Sequence, residues 1–116
     1  MMLESRFGPA VAELVALVSD DPAIADDERQ KDDVRDRVER ADGFAAVVYA
    51  ADKVSKVREL RMLISAGLDP ERVESKLRHY RKSLEMLERT IPDTRVVDVL
   101  RFELEVLAVL PPERKQ

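Results

Sequence analysis

The sequence predicts an all-α fold, a compact bundle of about four or five helices. Three observations carry that expectation. Apolar residues return at alternating intervals of three and four, the spacing of one face of a helix. Charged residues make up 38% of the chain and hydrophobic residues 45%, with three Gly and 4% aromatics, a balance weighted toward residues that lose little freedom in a helix. At 116 residues the chain has room for one hydrophobic core and not for two, so residues 1–116 are expected to form a single domain.

Each element follows from local signals. Pro9 suits a first helical turn, after which Val11, Leu14, Val15 and Val18 mark a short amphipathic helix that Ser19-Asp20-Asp21-Pro22 interrupts. Residues 19–28 are acidic and loop-like. From Glu28 to Ala41 both charge signs alternate around only Val34 and Val38, which describes a solvated helix or an arm. Asp42 can cap the next helix at its start, and Gly67 can close it in the left-handed conformation. The first half of that helix, Phe44 to Ala51, is apolar on every side and predicts burial all round. Asp69-Pro70 opens a further helix with Val73, Leu77, Tyr80, Leu84, Leu87 and Ile91 as a narrow apolar stripe, and Pro92 ends it. After the turn at Pro92-Asp93-Thr94, Val97, Leu100, Leu104 and Leu107 repeat the pattern up to Pro111-Pro112, and these last two helices should pack as an antiparallel hairpin. No internal repeat or linker divides the chain, and residues 113–116 are expected to fray.

Composition narrows the function classes. Without cysteine there is neither a disulfide framework nor a thiolate metal site, and the lone His79 cannot build a histidine-rich one. A formal charge of −4 gives no overall reason to bind nucleic acid, which requires clustered Lys and Arg. The opening Met1-Met2-Leu3-Glu4 carries no apolar run, so neither a signal peptide nor a membrane span is expected, and a cytoplasmic location follows by default.

Two groups of residues could carry chemistry. Asp52 follows the all-apolar stretch, where a buried carboxylate needs a cation, a metal or several donors. Its plain reading is an ion pair with Lys56, four residues on. The second group is the run Lys76, Arg78, His79, Arg81 and Lys82, which could engage a phosphate or an acidic partner and is equally well explained as a solvated helix face. The chain has no Gly-rich phosphate loop, no recognisable Ser/His/Asp set and no His-x-x-x-His pair, so no catalytic residues are assigned.

Three segments, in order, resemble the C-terminal part of the HD-domain metal-dependent phosphohydrolases related to the RelA/SpoT-type (p)ppGpp hydrolases. They are Arg6-Phe7-Gly8-Pro9-Ala10-Val11-Ala12-Glu13-Leu14-Val15, then Ala50-Ala51-Asp52-Lys53-Val54-Ser55-Lys56-Val57-Arg58, then His79-Tyr80-Arg81-Lys82-Ser83-Leu84-Glu85-Met86-Leu87. The resemblance spans roughly residues 4 to 107. In that family a His, a His-Asp pair and a later Asp hold a divalent cation, commonly manganese, that activates water against a phosphate ester. It implies that Asp52 is a remnant of the last ligand, with Lys53, Lys56 and Arg58 as salt-bridge or phosphate contacts. Lys56 stands where the hydrolases usually carry an Asn. The family's other ligands precede the Arg-Phe-Gly segment, and no His stands before position 79 here, so no metal is expected.

The expectation is therefore a truncated or degenerate HD-domain-like protein, without catalysis of its own and without a cofactor, that binds a protein partner or self-assembles as a homo-oligomer. A nucleotide stays open as a ligand; nucleic acid and membrane are not expected. One alternative is a (p)ppGpp or nucleotide phosphohydrolase whose Mn2+ ligands are completed by another chain. The other is an unrelated helical interaction module, whose acidic stretch from 20 to 42 engages a basic partner.

Overall fold

Capping side chains decide where the helices of this chain begin and end. A computed structural model describes residues 15–19, 21, 23–41 and 43–109, and every regular element among them is helical. Four helices are described in full: α1 (Asp27–Arg40), α2 (Gly43–Ser65), α3 (Pro70–Thr90) and α4 (Arg95–Val109). Residues 15–17 are also helical. The all-α expectation is met. The expected roles of Pro9, Asp42 and Pro111-Pro112 and the fraying of residues 113–116 lie outside the described residues, as does most of the Arg6–Val15 segment.

The contacts divide into two compact units, residues 1–49 and 50–116. In the first, the carboxylate of Asp26 accepts a hydrogen bond from the Glu28 amide and opens α1, with Asp27 and Glu28 in its first turn and Arg37 and Arg40 in its last. The solvated stretch is thus a helix, and its two apolar anchors are deep: Val34 is 4% exposed and Val38 is fully covered. Arg37 ties the preceding segment to α1. Its guanidinium donates to the carbonyls of Ala16 (2.9 Å), Leu17 (3.0 Å) and Ser19 (2.7 Å), and to Asp33 Oδ2 at 3.0 Å. Carbonyls at a helix end have no partner within the helix, and one planar cation meets three of them here. Gln30 adds bonds from Nε2 to the carbonyls of Asp21 and Ile24. Val15, expected on an apolar face, is 42% exposed.

The start of α2 departs from the expectation. Ala45, Ala46 and Tyr49 are buried in the first unit and Ala50 in the second, but Val47 and Val48 are half-buried, Ala51 is exposed and Phe44 is 66% exposed. Burial all round therefore gives way to a one-sided helix. Short alanines line the covered face, and the other stays open at Phe44 and Ala51 and half-covered at Val47 and Val48.

In residues 50–116, α2 continues with Val54, Val57 and Leu60 buried and ends in a left-handed cap. Gly67 has φ +97°, its amide donates to the Ile64 carbonyl (3.0 Å), and the Leu68 amide donates to that of Leu63 (2.9 Å). These are the two bonds of a Schellman termination. Asp69 then caps α3 by accepting from the Arg72 amide, with Pro70 in the first turn. At its other end the Thr90 hydroxyl donates to the Met86 carbonyl at 2.7 Å. The turn at 91–94 returns the chain, α4 packs on α3 as the expected hairpin, and Arg101 Nε reaches Glu88 Oε2 at 3.0 Å across it. Val97, Leu100, Leu104 and Leu107 are all buried as the spacing predicts.

The stripe expected on α3 is shifted. Tyr80 and Leu87 are buried, whereas Val73, Leu77, Leu84 and Ile91 are only half-buried, and Ser83 and Met86 are covered instead. The covered arc is centred to one side of the most apolar line. A serine small enough to bury carries no signal in an apolar periodicity.

Candidate functional site

Asp52 lies on the exposed flank of α2, with 52% of its side chain open to solvent. At this distance from the core it has no need of a metal or of several donors. Its partner is Lys53, whose Nζ approaches Oδ2 at 3.0 Å, and this corrects the expected pairing with Lys56. The physical reason is rotamer entropy. The Lys53 side chain is only 13% exposed, so it has already lost most of its freedom and brings its ammonium to the helix rim at little further cost. Lys56 is exposed and would have to be immobilised for a pair worth a few tenths of a kcal/mol. Among the described residues Lys56 makes no ion pair or hydrogen bond.

Arg58 points to the group that sequence reading passed over. Its Nε donates to Glu103 Oε2 at 2.9 Å, and Arg61, one turn along α2, places a terminal nitrogen 3.3 Å from Oε1. Glu103 is 6% exposed and on the apolar stripe of α4, three residues after Leu100 and four before Leu107. Its Oε1 is buried without a hydrogen bond, although the Arg61 charge stands close. Two cations thus serve one carboxylate, and the arginines remain 56% and 39% exposed. A glutamate inside an otherwise apolar line is a sequence signal for such a clasp, and the Arg58/Arg61 spacing supplies the matching face of α2.

The five basic residues of α3 do not form one surface. Arg78, Arg81 and Lys82 are exposed, whereas Lys76 and His79 are half-buried toward the covered side. Glu74 and Glu85 share the outer face, and Arg81 stands 3.9 Å from Glu74. Interleaved signs of this kind weaken the field that a phosphate would need. The His79 ring lies beside that of Tyr80, centroids 5.3 Å apart and tilted by 47°.

Taken together, the candidates separate into a rim pair at Asp52–Lys53, a clasp at Arg58–Arg61–Glu103 and a mixed face on α3. Among the described residues no group of three or more His, Asp or Glu is placed to hold a metal ion, and no helix is long and apolar enough to cross a membrane. Among the described residues the exposed large apolar side chains are Val15, Phe44, Met62 and Phe102. No protein-family model, no curated protein and no solved structure matches the chain.

Proposed function

We propose that this chain is a helical association module, without catalysis of its own, that works by binding protein and by pairing with copies of itself. Its lineage in this reading is a degenerate HD domain, supported by the three ordered segments quoted above. The observation that carries the functional part is exposed apolar area: Phe44 is 66%, Met62 72% and Phe102 60% exposed, on helices whose opposite faces are well covered. Large apolar side chains left open in this way lower their free energy by roughly 1.5–3 kcal/mol each when a partner covers them fully. The pairing of Asp52 with Lys53 bears on the other part, since a single carboxylate already neutralised by a neighbouring ammonium holds a divalent ion weakly by itself.

The test has two arms. Purified protein should show an oligomeric mass by light scattering at micromolar concentration, and should leave (p)ppGpp and simple phosphate esters intact with manganese present. A monomeric mass removes the self-association reading. Manganese-dependent turnover that Asp52→Ala abolishes replaces it with a hydrolase whose ligands another chain completes.

A further inference from the structure

We draw no further inference here: the strongest candidate, the apolar surface patch at Phe102 on α4, exposed next in sequence to the clasped Glu103, carries nothing because nothing in the structure shows what covers it.

Discussion

A carboxylate that loses its water must recover the loss from partners, and Glu103 recovers it unevenly. One oxygen has a good bond from Arg58 and the other faces Arg61 without one. Removing the partners should therefore hurt more than removing the acid. Arg58→Ala/Arg61→Ala leaves a buried, uncompensated charge and is expected to lower stability by about 2 kcal/mol, below the figure for a fully buried pair because both arginines reach solvent. Glu103→Leu leaves two cations free to turn outward and should fall within about 1 kcal/mol of wild type. The urea midpoints of the two variants decide it; equal losses would mean that the clasp contributes as an ordinary pair. Arg101 illustrates the opposite case of a titrating group with no effect near neutrality. Its bonds to Asp98 and Glu88 raise the guanidinium above an already high range. A raised cationic pKa adds stability that is present at lower pH and lost only as pH rises through the raised value, so stability measured from about pH 6 to 9 should carry no step from Arg101.

The helix ends were the most legible features and give the sharpest predictions for single elements. Gly67 closes α2 because its positive φ costs an L-residue strain that glycine escapes. No atom lies within 4 Å of where a Cβ would stand, so Gly67→Ala should destabilise by about 1 kcal/mol through the backbone alone, read from the thermal midpoint. Asp69→Ala should cost about 1 kcal/mol by freeing the Arg72 amide, and Asp69→Asn should recover most of it. Arg37 could not be read in this way. Its three carbonyl partners lie 18 to 21 residues back in the chain, and a long-range cap leaves no local spacing. Arg37→Ala is expected to cost about 2 kcal/mol in residues 1–49, with Arg37→Lys recovering only part because an ammonium lacks the planar fork. Hydrogen exchange of the α1 amides would report that loss directly.

For the chain as a whole, association carried by exposed apolar area should respond to salt as apolar contact does. Sulfate should tighten the assembly by strengthening apolar burial, whereas raising sodium chloride from about 0.05 to 0.5 M, which screens charge, should change it little. An assembly abolished by sodium chloride and not tightened by sulfate would be held by charge alone. The candidate site was less legible than the fold. Asp52 stood out in the sequence because it follows eight apolar residues, yet that stretch turned out one-sided and left the carboxylate at the rim. Whether an all-apolar segment is enclosed depends on how many neighbours pack around it, and a helical wheel does not count neighbours.

The residues alone determined that this protein is helical, where α3 and α4 begin, that Gly67 ends α2, and which line of α4 turns inward. Those features depend on a few adjacent side chains and on backbone preferences that act over one or two turns. Tertiary structure alone decided that Lys53 takes Asp52 from Lys56, that Ser83 and Met86 displace the more apolar line of α3, and that Glu103 is clasped by two arginines 45 and 42 positions earlier in the chain. Each of those outcomes turns on which helix lies opposite, a quantity that sequence spacing leaves free and packing fixes.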